Sequence, residues 1–261
     1  MNRPIVFLGA GPGDPELITL KGRRLLDEAD VIVYAGSLVN PALLDGVQAE
    51  IHDSASMTLE DVLAVLTQAW KAGRKAVRLH TGDPAVYGAI REQMQALDKK
   101  NIPYTVVPGV SSALAAAAAL KMELTVPELT QTVIFTRMAG RTPVPEKESL
   151  RRLASIQASL CIFLSVSMMD KLVHELLTGG YPKDTPAAVV EKASWPDQRI
   201  VRGILADIAD KVKASAIRKT AMIIVGRALS DDHAAVSKLY DAGFSHEYRS
   251  GASSMKKIEA T

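Results

Sequence analysis

The sequence predicts an α/β protein of two domains, a mainly parallel sheet in the first and a mixed sheet in the second. Three observations carry this. Strand-like apolar runs alternate with helical patterns through the first half, the grammar of a parallel sheet with crossover helices. In the second half two strand candidates, 187–193 and 198–205, stand too close together for a crossover and suit an antiparallel hairpin. At 261 residues the chain is long enough for one large or two smaller cores.

Ile5 to Leu8 reads as a buried strand and runs into the turn Gly9-Ala-Gly-Pro-Gly13. A helix over about 17–28 leads to the strand Val31 to Tyr34. Thr58 and Asp61 form a capping-box pattern for a helix with Val62, Leu66, Ala69 and Trp70 on one side, and Gly73 stands at its C-terminal stop. The strand 76–79, a helix facing inward with Ile90, Met94 and Leu97, and the strand 104–107 follow. Ser111 or Ser112 caps an alanine-rich helix. Strand candidates then fall at 132–135, 160–163, 187–190, 199–202 and 221–225, with helical patterns near 147–156, 169–178 and 206–214. The expected division is 1–120, 121–229 and a weakly patterned tail, 230–261.

Composition narrows the function classes. An apolar fraction of 48% with 23% charged residues is that of a globular protein, and the longest apolar run, Ala113 to Leu120, cannot span a bilayer. Residues 1–10 enter a strand without signal-peptide architecture. The lone Cys161 excludes an internal disulfide and a multi-cysteine zinc site, and the five histidines lack ligand spacing. No metal is expected, and a reducing cytoplasm is the simplest setting. A net charge of +2 gives little support to nucleic acid binding.

The turn Gly9-Ala-Gly-Pro-Gly-Asp14 stands where α/β sheets place ligands. It is not a dinucleotide fingerprint. The third glycine position holds Asp14, no acidic residue closes the strand 31–34, and a carboxylate at the helix start opposes a pyrophosphate. Asp14 can equally cap the following helix. Two further turns, His80-Thr-Gly-Asp-Pro-Ala-Val-Tyr-Gly88 and Val107-Pro-Gly-Val-Ser-Ser112, also follow strands. In a parallel sheet all three lie at the carboxyl edge, where one ligand could touch them together.

In this order, the three turns resemble those of the tetrapyrrole methylase family. The likeness continues through Leu124 to Glu128, Thr136 to Pro145, Lys192 to Asp197 and Ile217 to Met222, and so covers about 4–229. Tyr34 to Leu38, Arg141-Thr-Pro-Val-Pro145 and Phe244 to Arg249 are similar to the branch that methylates C11 of precorrin-4 or cobalt-precorrin-4.

The resemblance implies an S-adenosylmethionine-dependent C-methyltransferase, with S-adenosylhomocysteine as product, acting in the cleft between two α/β domains of a homodimer. The implied donor contacts are Pro12, Thr81, Gly82, Asp83, Val86, Ser111, Ser112, Ser165, Val166, Ala193 and Ala221. An anionic tetrapyrrole needs cationic partners, for which Arg78, Arg91, Arg137 and Arg141 are candidates. Asp14, Tyr87 and Arg141 are the candidates nearest the chemistry; His80 reads as structural, Tyr87 as a platform for the macrocycle or equally a core residue, and Trp195 as a cleft wall or a staple for the hairpin. Methylation of another tetrapyrrole carbon or of ribosomal RNA, and non-catalytic tetrapyrrole carriage, are the competing functions.

Overall fold

The computed structural model describes residues 3–230 and 237–250. The chain divides into two compact units. The first comprises Met1–Lys121 with the segments Val189–Val201 and Ser215–Met222; the second comprises Met122–Ala188, Arg202–Ala214 and Ile223–Thr261.

In the first unit β1 (Ile5–Gly9), α1 (Leu20–Asp27), β2 (Val31–Tyr34), β3 (Glu50–Asp53), α2 (Leu59–Lys71), β4 (Ala76–His80), α3 (Arg91–Asp98), β5 (Tyr104–Val107) and α4 (Ser112–Leu120) follow one another. The sheet order is β3-β2-β4-β1-β5, and every pairing is parallel. Strand alternation sorts the core between its two faces. Ile5, Phe7, Val31, Val33 and Ala76 pack with Val62, Leu66, Ala69 and Leu97. On the other face, Val6, Leu8, Ile32, Val77 and Leu79 pack with Leu26 and Leu43. The capping box of α2 is complete: Thr58 Oγ1 accepts from the Asp61 amide at 3.2 Å, and Asp61 accepts from the Thr58 amide at 3.0 Å. Gly73 closes that helix with φ +74°.

The helix expected over 17–28 is shorter. Pro15–Leu17 is a separate 3-10 turn capped by Asp14, and α1 starts after Thr19, whose hydroxyl takes the Gly22 amide. The strand β3 has no counterpart in the sequence reading. Its residues Glu-Ile-His-Asp are mostly exposed at the sheet edge and carry no apolar alternation. Register there is set by pairing with β2 and by the Arg74–Glu50 ion pair at 2.7 Å.

The second sheet has the order β6-β7-β10-β8-β9. Its elements are β6 (Val133–Arg137), α5 (Leu150–Ala154), β7 (Ser159–Phe163), α6 (Met169–Thr178), β8 (Pro186–Glu191), β9 (Arg199–Ile204), α7 (Ile208–Ala214) and β10 (Ala221–Val225). β6 and β7 run parallel whereas β7 and β10 run antiparallel, so the sheet is mixed as the sequence predicts. β8 and β9 are neighbours joined by 192–198. The Thr185 carbonyl takes the Leu205 amide at one end and Glu191 pairs with Arg199 at the other, the register of a hairpin.

Part of the expected tail lies outside the described residues, at 231–236 and 251–261. Between them, 237–250 is organised around Arg249. Its guanidinium donates to the carbonyls of Leu239 (2.6 Å), Asp241 (2.7 Å) and Phe244 (3.4 Å), and a backbone bridge joins His246 and Arg249. Carbonyl satisfaction by one arginine gives this stretch a shape that hydrophobic periodicity cannot announce. Among the described residues, no helix is long and apolar enough to cross a membrane.

Candidate functional site

Because β4, β1 and β5 are parallel neighbours, the turns that follow them emerge side by side at one edge of the first sheet. They are locked together through backbone. The Ala10 amide donates to the His80 carbonyl at 2.7 Å, and Gly11 and Gly82 exchange amide–carbonyl bonds of 3.2 and 2.8 Å. A side-chain carbon added at Gly9 would lie 2.6 Å from Gly109 Cα and 2.7 Å from the Gly82 carbonyl oxygen. One added at Gly109 would come to 2.2 Å from that same oxygen. Three strand ends meet at a point only glycine can occupy.

Asp83 ties two of the turns together. One carboxylate oxygen accepts from the Gly109 amide at 3.0 Å and the other from the Ala85 amide at 2.8 Å. Asp14 accepts from the Glu16 amide at 2.9 Å, so its carboxylate caps the 3-10 turn. Ser111 caps α4, accepting from the Ala113 amide at 3.4 Å. All three side chains brace main chain.

Gly82 is different. With φ +61° it needs the left-handed region, yet an added Cβ would meet nothing nearer than the Ser112 amide nitrogen at 3.7 Å, then Ser111 Cα and the Val110 carbonyl oxygen at 3.8 Å. The three nearest atoms are all main chain, so an added carbon would face the backbone of 110–112 at ordinary contact distance. A left-handed turn beside uncrowded main chain suits a ligand read through main-chain atoms.

Left-handed backbone at non-glycine residues falls beside several of the residues expected at the donor. Asn101, Lys121, Gln157 and Ala216 stand just past helix ends. Of the others among the described residues, Tyr87 and Ala89 lie in the loop after β4, Leu164 precedes Ser165, Lys192 and Ser194 bracket Ala193, and Thr220 precedes Ala221; Glu128 alone lies elsewhere. Each such residue costs on the order of 1 kcal/mol and persists where its surroundings hold it, which is why strain gathers at ligand sites.

The segment 192–198 packs in the first unit with the Gly9–Asp14 turn. The indole N–H of Trp195 donates to the Pro12 carbonyl at 3.0 Å, and the Asp14 amide donates to Ser194 Oγ at 3.0 Å. Pro12 and Ala193, both expected at the donor, are buried in that unit; Thr81 and Val86 are half-buried in the loop after β4.

In the second unit Ser165 is fully buried. Its hydroxyl accepts from the Met138 amide at 2.9 Å and donates to the Phe163 carbonyl at 2.6 Å, leaving its backbone and that of Val166 as what could meet a ligand.

The four arginines differ. Arg137 is committed to the carbonyls of Met138 (3.3 Å), Thr142 (3.2 Å) and Pro143 (2.7 Å), so it shapes the loop 138–143. Arg141, in that loop, is exposed, as is Arg91 at the start of α3. Arg78 is buried, donates to the Val33 carbonyl at 3.1 Å, and is held down to about 10 by desolvation. Its neighbour His80 is buried against Phe7, with ring centroids 6.0 Å apart. Burial, helped by the Arg78 charge, pushes His80 down to about 3, so the ring is neutral near pH 7 and is a structural element. Tyr87 is 45% exposed on its strained backbone.

Residues 4–209 match the family described as Tetrapyrrole (Corrin/Porphyrin) Methylases. The chain is 58% identical over 250 residues to the cobalt-precorrin-4 C(11)-methyltransferase of Methanocaldococcus jannaschii, covering 95% of this chain and 96% of that protein. Among solved structures, the cobalamin biosynthetic enzyme cobalt precorrin-4 methyltransferase, CbiF, superposes with a TM-score of 0.85 at 48% identity, over 87% of this chain and 96% of that one. The uroporphyrin-III C-methyl transferase of Thermus thermophilus, solved in complex with S-adenosylhomocysteine, matches with a TM-score of 0.74 at 30% identity, over 87% of this chain and 99% of that one.

Proposed function

The chain belongs to the tetrapyrrole methylase family, and from that premise we propose that it transfers the methyl group of S-adenosylmethionine to C11 of precorrin-4 or cobalt-precorrin-4 in cobalamin biosynthesis. The observation that carries the reading is the junction of Gly9, Gly82 and Gly109, with only main chain facing Gly82. A donor bearing an ammonium, a sulfonium and an adenine can be read there by backbone atoms, and no phosphate-binding arrangement is needed.

S-adenosylmethionine supplies, when bound, a methyl group on a positively charged sulfur. What the protein contributes is placement. Pro12, Thr81, Gly82, Asp83, Val86, Ser111, Ser112, Ala193 and Ala221 would hold the donor, together with the backbone of Ser165 and Val166. Rigid turns fix the direction of the methyl, and positioning of this kind is a major source of rate in a two-substrate reaction. Positive charge leaves sulfur and spreads onto the acceptor as the methyl transfers, so a site that excludes water favours the dispersed charge of the transition state. Of the four candidate arginines, Arg141 and Arg91 are the exposed ones and would meet acetate and propionate arms, and Tyr87 would offer a flat face to the macrocycle. Asp14 serves by holding the first turn in shape. An acceptor carbon with enamine character needs no protein base to attack the methyl.

We further read the protein as a cytoplasmic homodimer without a nucleic acid partner. The single cysteine, buried Cys161, supports the cytoplasmic setting and the net charge of +2 the lack of a nucleic acid partner, while the homodimer follows from the family resemblance alone. Incubation with methyl-labelled donor and precorrin-4, with and without cobalt, followed by NMR of the product, tests the reaction. A new methyl at C11 is expected; transfer to another carbon, or binding without transfer, would overturn the assignment.

A further inference from the structure

Three successive backbone groups of the first turn are each taken by a side chain from far along the chain. The Pro12 carbonyl accepts from Trp195 Nε1 at 3.0 Å, the Gly13 carbonyl from Asn40 Nδ2 at 2.8 Å, and the Asp14 amide donates to Ser194 Oγ at 3.0 Å. The indole also fills the place of a missing side chain: a Cβ built on Gly13 would fall 1.9 Å from Trp195 Cδ1 and 2.0 Å from its Nε1. Gly13 is therefore glycine because of Trp195.

The tryptophan is itself held. Lys192 Nζ stands 5.4 Å from its ring centroid and pairs with Asp197 at 2.5 Å, while the Ser194 amide donates to Gln198 Oε1 at 2.8 Å. The backbone at Lys192 and Ser194 is left-handed, with φ +49° and +70°, so the loop is held in a conformation it would not adopt alone.

We infer that Trp195 is a positioning residue for the methyl donor, a staple that fixes the loop carrying Ala193 to the turn carrying Pro12. The inference rests on the donor reading given above. Without the staple, two walls of the donor site drift independently, and the ligand must order them on binding. The cost falls on donor affinity more than on folding, because Trp195 is only half-buried.

The test uses the full-length protein and S-adenosylhomocysteine. Trp195→Phe keeps an aromatic ring beside Gly13 and removes the N–H with part of the indole, and should weaken binding about 3- to 10-fold, the range for one lost hydrogen bond. In turnover, the KM for the donor should rise by a similar factor while kcat at saturating donor stays within about twofold. In a Trp70→Phe background Trp195 is the one remaining indole, and its fluorescence should change on titration with the ligand. Gly13→Ala displaces the ring, so adding Trp195→Ala to it should cost little more, whereas independent losses would multiply. Ser194→Ala, which removes the neighbouring tie, should weaken binding in the same direction and stands in if Trp195→Phe fails to fold. Wild-type affinity in Trp195→Phe and Ser194→Ala, or multiplicative losses in the pair, overturns the staple. Failure of the wild-type protein itself to bind S-adenosylhomocysteine would overturn the donor reading instead.

Discussion

Gly82 and Gly73 form a matched pair that separates the cost of a backbone shape from the cost of filling a ligand site. Both sit in the left-handed region, at φ +61° and +74°. Alanine at Gly73 would meet nothing within 4 Å, and at Gly82 nothing nearer than 3.7 Å. Neither substitution produces a clash, so each should destabilise the protein only by the left-handed penalty, about 1–2 kcal/mol. At about 2–4 °C per kcal/mol for a chain of this size, the two variants should melt within a few degrees of each other.

They should part in binding. The Cβ at Gly73 points into solvent, whereas the one at Gly82 faces the backbone of Val110, Ser111 and Ser112. A ligand resting on that backbone would have to retreat by roughly the thickness of a methyl group and lose its main-chain contacts. Losing one good hydrogen bond and its packing is worth about 1.5 kcal/mol or more, so affinity for S-adenosylhomocysteine should fall at least about tenfold. Calorimetric titration of both variants, beside thermal melts, reads the two quantities separately. Equal affinity in Gly82→Ala and Gly73→Ala would refute the placement of the donor over Gly82.

Three other outcomes follow from the same geometry. Arg141→Ala should raise the KM for the tetrapyrrole without changing donor affinity, whereas Arg137→Ala, which frees three carbonyls of the loop 138–143, should increase proteolytic cleavage in that loop. Limited proteolysis beside steady-state kinetics distinguishes them. His80 is buried neutral with its pKa lowered from 6.5 to about 3, so the unfolded chain takes up its proton first as pH falls. Its contribution is complete above about pH 6.5 and is eroded on the way to pH 3, by at most about 1.4 kcal/mol per unit. Urea unfolding at pH 7 and pH 4.5 should show a drop about 2 kcal/mol smaller in His80→Gln than in the wild type. Cys161 is fully buried and its thiol is pushed up to about 12 by desolvation, so a thiol reagent at pH 8 should label the protein only on unfolding.

Elements with strong local grammar were legible. The box of Thr58 and Asp61 is a local exchange of two hydrogen bonds, and its signal survives in four residues of sequence. The equivalence of the three turns was legible too, because parallel strands place their following loops at one edge. What local pattern could not show is whatever depends on distant partners. β3 is a strand because β2 lies beside it and not because its residues alternate. The Arg249 cluster depends on carbonyls up to ten residues away. Arg137 has a residue type that suits carboxylates, and its bonds to three carbonyls depend on how the loop 138–143 folds back on it. The Ser194–Trp195 contact with the first turn spans some 180 residues. Its one trace in the sequence is the extra glycine at 13, which the packing of Trp195 explains.

These assignments have a common logic. In a site read through main chain, carboxylates and hydroxyls are most useful as braces that stop the main chain from moving. Asp83 holds the Gly109 and Ala85 amides, Asp14 holds Glu16, Ser165 holds Met138 and Phe163, and Ser194 holds Asp14. Methyl transfer from a sulfonium asks for direction and dryness, and the reaction class needs no titrating side chain at the point of attack. Replacing a brace should therefore alter donor affinity without introducing a new ionisation into the rate. Asp83→Asn illustrates the distinction. The amide keeps one acceptor oxygen but loses the second, so one of the two amide contacts of Asp83 is broken and the donor KM should rise. The pH profile of kcat should keep the shape of the wild type, and a shifted or vanished limb would instead make Asp83 a participant in proton transfer.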